Sequence, residues 1–380
     1  MANPRSHSDS GGRPPTVHQV VSRRGSLRRW LRTLLTEVFA RRVRHHFQLV
    51  LGGPVFFQTL RTACDLDLFG LLRRKPGLRL EEIAEELQIG AHPARILLMT
   101  CAALKLVRKV GLRYRCRAIV ARRLERDDPQ SLVPVLEWMH QIVYPSMFHY
   151  AEAVRQERPV GLQVFRGEED NLYGRLAHDP GLQTVFHQAM RVRSRMTNAE
   201  FLDRVDFSGF KRVLDVGGGD GENILAIAKR HPDLQGTLFD FPPVAEMAAR
   251  QFAEQGLHER LKALGGNIFE EDFPQGHDCV LFCHFTPNFS QAANRGLMKR
   301  AHVALEPGGM VCIYATFLND RETGPFQAAM ISPYFLCTLN GQGRHYSWRE
   351  ASSWLKEAGF ADITRVRLPL DEGVLLGFRS

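Results

Sequence analysis

From about residue 207 onward the chain alternates between short apolar, β-branched runs and amphipathic stretches of helical period, and no other feature narrows its fold as far. RVLDVG (212–217) reads as a strand and ENILAIAKRH (222–231) as a helix. LQGTLFDFP and VAEMAARQFAEQG repeat the pair. LKALGGNIF and HDCVLFCHF give a third and a fourth strand. The helix QAANRGLMKRAHVAL, a fifth strand GGMVCIYATF and a late helix SWREASSWLKEAGF precede two closing strands. Strand–helix alternation with short connections predicts an α/β fold with a parallel, doubly wound Rossmann-like sheet over residues 206–380.

In such a sheet ligands sit beyond the carboxyl ends of the strands. There the first strand runs into VLDVGGGDGE (213–222), with four glycines in five residues. Gly217, Gly219 and Gly221 form the first strand-to-helix turn, and Asp240 ends the second strand, where a carboxylate suits ribose hydroxyls. A dinucleotide site usually spaces its glycines GxGxxG and sets a pyrophosphate on the helix N-terminus. Here the spacing is GxGxG, and Asp215 stands two residues before it. A carboxylate there repels pyrophosphate and suits the ammonium of an amino-acid moiety, which points to S-adenosylmethionine. Phe241 and Cys283 are expected to join that cofactor site.

The N-terminal half reads differently. The net charge of +9 is concentrated in residues 1–50, which hold ten arginines against Asp9 and Glu37. The rest is nearly neutral, so the chain is no general nucleic-acid binder. Residues 1–22, rich in Ser, Gly, Pro and Arg, predict a disordered arm. In GSLRRWLRTLLTEVFARRVRHHF the apolar Leu27, Trp30, Leu31, Leu34, Leu35, Val38 and Phe39 recur at helical spacing. This helix is expected to pack on the body or on a partner subunit. Peripheral contact of residues 24–46 with an anionic membrane is the alternative, and a transit peptide a third.

LRLEEIAEELQI, the turn GAHP, ARILLMTCAAL and the hairpin-like KLVRKVGLRYRC outline a mainly α winged helix, so residues 23–125 form one unit. A groove reader needs polar side chains for base edges. The second helix offers Ile96, Leu97, Leu98, Met99 and Leu104, with Arg95 alone for phosphate. It is built for burial, which argues against a DNA partner. Residues 126–205 read as a helical linker whose aromatics and methionines form core or line an apolar pocket. Seven scattered cysteines without a CxxC pair predict reduced thiols, a cytoplasmic protein and no metal site.

The stretch DFSGFKRVLDVGGGDGENILAIAKRHPDLQGTLFDFPPV closely resembles the small-molecule O-methyltransferases of plants and bacteria. So do LAHDPGLQTVFHQAMRVRS, LEPGGMVCIYATF and WLKEAGF, over roughly residues 50–380. The resemblance implies a winged-helix dimerisation domain, a helical linker, an adenosylmethionine-binding domain and a homodimer. It implies that Asp240 holds the ribose and that Asn267 and Ile268 flank the adenine, with Asn267 replacing the usual aspartate. It also places Met147, Phe186, Met190, Leu336 and Asn340 around a small-molecule acceptor, with Asn288 beside them. Mostly apolar walls suit an aromatic or polyene substrate.

One departure matters. The family carries His-Asp-Trp after the fourth strand, the histidine being the general base for a phenol. Counting without a gap from Asp278 to Ala304-Leu305 puts Pro287-Asn288-Phe289 there. A phenol with pKa near 10 stays neutral at pH 7, and a placed base is worth roughly 10²–10⁴ in rate. The loss predicts a relocated base, a non-oxygen acceptor or a lost activity. His345, where the family has a supporting glutamate, and His284, at the end of the fourth strand, are the candidates for a relocated base. Bacteriochlorophyllide C-methyltransferases, similar in VLFC, also lack this histidine, which makes carbon an acceptor to consider beside oxygen, sulfur and nitrogen. A protein of this fold that binds the cofactor without transferring methyl, as a regulator or a rearrangement catalyst, is the competing class.

Overall fold

The computed structural model describes residues 27–380, and side chains from Thr36 on except that of Val38. The expected arm 1–22 lies outside the described residues, as do most side chains of the Arg-rich apolar stripe. A helix of 39 residues, Leu27–Asp65, opens the described chain. Phe39, Val43, Phe47, Val50 and Leu51 in its first two thirds are exposed, whereas Ala63 and Cys64 near its end are buried. Among the described residues no helix is long and apolar enough to cross a membrane.

The winged unit is present with one difference. LRLEEIAEELQI does not begin as helix: Leu78–Arg79 form strand β1, and the helix is Leu80–Glu86. β1 pairs with β3 (Arg113–Arg115), whose hairpin partner is β2 (Arg108–Val110). Arg79 is the extended residue before the helix, and its N–H donates to Glu82 Oε2 at 2.6 Å, which sets the helix start. The second helix, Ala91–Ala103, buries Ala94, Leu98 and Cys101. Its other face is not buried: Ile96 and Met99 are exposed in the single chain. Ile96 stands with Pro54, Val55, Thr59 and Leu97 around an open cleft.

The C-terminal half is a seven-stranded sheet in the order β6-β5-β4-β7-β8-β10-β9. In chain order these are β4 (Arg212–Val216), β5 (Gln235–Asp240), β6 (Leu261–Gly265), β7 (His277–Cys283), β8 (Leu305–Thr316), β9 (Phe360–Arg367) and β10 (Glu372–Arg379). β4 to β8 pair in parallel, whereas β10 runs antiparallel to both β8 and β9. The sheet is therefore mixed at one edge, where a tight return joins the last two strands.

Alternate strand residues feed two cores. Val216, Phe282 and Ile313 pack with Leu297 and Trp354 on one face; Val213, Leu281 and Tyr314 pack with Ile224, Phe252 and Phe201 on the other. From β4 the chain crosses to β5 on one side, and from β7 to β8 on the other. The crevice of this doubly wound sheet opens between β4 and β7 at their carboxyl ends. The long helix Pro180–Arg204, capped by Asp179 and opened by Pro180, lies on that end.

Candidate active site

The glycine turn is shaped by conformations that side chains resist. Gly217, Gly219 and Gly221 have φ of +68°, +63° and +82°. A Cβ at Gly217 would run into the Phe285 ring, whereas one at Gly219 would meet nothing within 4 Å. The backbone therefore presents an open face at Gly219, where a ligand can come close. Gly219 N–H donates to Asp240 Oδ2 at 3.0 Å, and Phe241 N–H to Asp240 Oδ1 at 2.8 Å. Gly266 N–H donates to the Asp240 carbonyl at 2.9 Å, which brings the chain after β6 up to the same point.

Three carboxylates crowd this turn. Asp220 is paired with Arg191 Nε at 2.6 Å. Asp215 is completely buried, and neither of its oxygens has a hydrogen-bond partner. Burial, and then the charges of Asp240 and Asp220, push its pKa up to about 7. Burial likewise raises Asp240 to about 6, against the pull of its two backbone donors. A buried carboxylate without donors is costly, and a cationic ligand group relieves it. An orphaned Asp215, an open glycine and a ribose-ready Asp240 fit the amino-acid and nucleoside ends of S-adenosylmethionine.

Of the other expected cofactor residues, Cys283 ends β7 two positions past Leu281, the strand partner of Asp215, and is buried. Phe241 is half-exposed beside Asp240. Asn267 Oδ1 accepts from Phe269 N–H at 3.0 Å, so it stabilises its own turn. Ile268 is wholly buried against Phe239 and Phe273.

The second end of the crevice is apolar and differently charged. Trp138, Phe186, Tyr334 and Phe335 form one cluster, with Met147 and Met190 at its margin. Leu336, half-buried, belongs to the π-helix Phe335–Leu339. Asn340 donates from Nδ2 to the Asn288 carbonyl at 2.6 Å and accepts from Gln342 N–H at 2.9 Å, so its amide fastens two loops together. Pro287 is buried in the turn Thr286–Asn288. A Cβ on Gly343 would strike the Pro287 carbonyl, so the loop that carries His345 lies hard against that turn.

His345 is 3% exposed, with Nδ1 3.2 Å from Ser332 Oγ and its ring edge-on to Phe335. Burial and then the charges of Arg193 and His284 press its pKa down to about 3. His284 has φ +52°, a ring 4.4 Å from that of Tyr314, and an Nε2 without a partner. Burial and Arg193 hold it near 3 as well. Both imidazoles are neutral at pH 7. Glu372 stands 3.9 Å from His284 Nδ1, and burial raises its pKa to about 7, so the two form no firm ion pair.

Three residues here escaped the sequence reading. Glu372 lies in a closing strand with no motif. Tyr173 packs edge-on to Phe186. Arg193 was legible in principle, since it falls three residues after Met190 and four before Thr197 on one helix face.

Residues 148–361 match the O-methyltransferase domain, and residues 48–118 the O-methyltransferase dimerisation domain. The chain belongs to the O-methyltransferase family. It is 33% identical to the L-tyrosine C(3)-methyltransferase of Streptomyces lavendulae, covering 84% of this chain and 87% of that protein. It is 30% identical to the 3-hydroxy-5-methyl-1-naphthoate 3-O-methyltransferase of Streptomyces sahachiroi, covering 85% and 92%. The apo structure of the S-adenosylmethionine-dependent methyltransferase SibL superposes with a TM-score of 0.78 at 37% identity, over 87% of this chain and 98% of that one. The family member is thus an S-adenosylmethionine-dependent methyltransferase, and its N-terminal unit is a dimerisation domain. Among the described residues no cluster of ligating side chains could hold a metal ion.

Proposed function

We propose that this methyltransferase adds a methyl group to a ring carbon of a small phenolic metabolite. The observation that carries the reading is Pro287: the turn that would hold a phenol's base holds a buried proline, and of the two neutral imidazoles beside it His345 is buried and His284 half-buried. Bound S-adenosylmethionine supplies an electrophilic methyl on a sulfonium. The chain supplies alignment and a dry site. Asp215 faces the ammonium, Asp240 the ribose, and the turn Gly217–Gly221 gives close approach. Phe186, Met190, Met147 and Leu336 hold the aromatic ring. As the carbon–carbon bond forms, the ring carbon's proton must leave, and neutral His345 or His284 accepts it. An imidazole held near pKa 3 is a weak base, better matched to the very acidic proton of such a ring cation than to a neutral phenol. The tyrosine C(3)-methyltransferase at 33% identity supports a carbon acceptor.

The exposed Val50, Leu51, Val55, Ile96 and Met99 on the dimerisation segment support a homodimer that covers them.

The test is to incubate the full chain with L-tyrosine and with 3-hydroxy-1-naphthoate in the presence of methyl-labelled S-adenosylmethionine, and to locate the label by NMR. A carbon-bound methyl on either ring is expected. Label only on oxygen would overturn the carbon reading in favour of O-methylation through a relocated base.

A further inference from the structure

Three arginines follow one another at alternate positions of the helix Pro180–Arg204, and they do not share a fate. Arg191 pairs with Asp220 at 2.6 Å and Arg195 with Glu222 at 2.9 Å, so both clamp the helix to the glycine turn. Arg193 is half-buried and makes no hydrogen bond or ion pair with the described residues. Helical spacing sets it on the face that also carries Phe186, Ala189, Met190 and Thr197. Phe186, Ala189 and Thr197 are buried, and Met190 borders the aromatic cluster. Thr197 is hydrogen-bonded to the Tyr314 hydroxyl, and Tyr314 in turn packs on His284. Arg193 therefore points toward the acceptor end of the crevice. The spread of its charge agrees: it acts on His284, His345, Tyr334 and Glu372 together.

A half-buried guanidinium without an anion is left partly unsolvated and uncompensated. Nearby groups do not answer it. The two imidazoles are neutral, Tyr334 is held protonated, and the Glu372 carboxyl forms no ion pair with it. An arginine's planar fork matches a carboxylate by two parallel hydrogen bonds. We infer that Arg193 holds a carboxylate of the acceptor, so that the substrates of this enzyme are aromatic acids rather than neutral phenols. The inference rests on the reading that this crevice takes a small aromatic acceptor, and it sharpens that reading to an anionic class. Docking of the acid would also remove a positive charge from the surroundings of His345 and His284, which makes both better proton acceptors only once substrate is seated.

The experiment reads binding, so it does not depend on which atom is methylated. Calorimetry on the full chain with S-adenosylhomocysteine present compares L-tyrosine with L-tyrosinamide, and 3-hydroxy-1-naphthoate with its carboxamide. The wild type is expected to prefer the acid in at least one pair. Arg193→Gln should lower affinity for that acid on the order of tenfold to a hundredfold and leave the amide unchanged. Where Arg193→Gln melts early, Arg193→Lys, which keeps the charge and loses the fork, should retain a reduced preference. Equal losses for acid and amide, no acid preference in either pair, or an undiminished preference in the lysine variant would overturn the inference. If the acid preference vanishes with Arg193 while no methylated ring carbon is found, the carboxylate site stands and the carbon-acceptor reading fails.

Discussion

The two ends of the crevice carry opposite electrical demands. Around the glycine turn Asp215 lies buried without donors and Asp240 buried with one backbone donor to each oxygen, and burial pushes both toward the protonated state. Across the crevice Arg193 has no ion-pair partner among the described residues, and His284 and His345 are pushed toward the unprotonated state. One end lacks a cation and the other lacks an anion. A sulfonium cofactor bearing an ammonium answers the first, and an anionic acceptor answers the second. On the proposed reading, the fold holds two unsatisfied fields apart until the two ligands meet between them.

The largest expected effect breaks the cofactor end alone. Gly217→Ala puts a Cβ into the Phe285 ring at φ +68°. Strain and overlap together should weaken S-adenosylmethionine binding on the order of a hundredfold. Calorimetry checks this, with circular dichroism to confirm folding; unchanged affinity would mean that the turn is not the cofactor cradle.

A smaller effect isolates the acceptor end. His345→Ala should lower turnover about tenfold, a modest figure for a base so depressed, and leave cofactor affinity unchanged. Steady-state kinetics alongside cofactor titration separates the two. Full activity in this variant would remove His345 from the chemistry and leave His284 as the proton acceptor.

The same contrast explains what the sequence discloses. The sheet is legible because apolar β-branched runs and period-3.6 helices alternate, and the glycine turn is legible because positive φ selects glycine. The acceptor end is not written that way. Three alternating arginines look alike in RVRSR, and only the helix phase turns Arg193 inward while Arg191 and Arg195 find carboxylates on the turn. Glu372 reaches the site because β10 lies antiparallel beside β8, a long-range pairing without local signal. Leu78–Arg79 read as helix and fold as strand, since pairing with β3 outweighs local propensity. Ile96 and Met99, expected to be buried, are exposed in the single chain, because a dimerisation surface has the same apolar composition as a core.

The charge contrast has a pH signature. Asp215 and Asp240 have folded pKa values above the ordinary carboxylate range, at about 7 and about 6. Their contribution to the stability of the ligand-free chain is full below pH 4 and is lost as pH rises through those values. The histidines act in reverse: with folded pKa values near 3, they cost stability as pH falls below the ordinary histidine value of about 6.5. Binding a cation beside Asp215 must lower its pKa, and so must expel a proton near neutrality. The most direct measurement is calorimetry of S-adenosylmethionine binding at about pH 6.5 in buffers of different ionisation enthalpy, which counts protons exchanged on binding. Net proton release is expected in the wild type, and a clearly smaller release, with weaker binding, in Asp215→Asn. Proton uptake, no exchange, or the same release in the variant would contradict it.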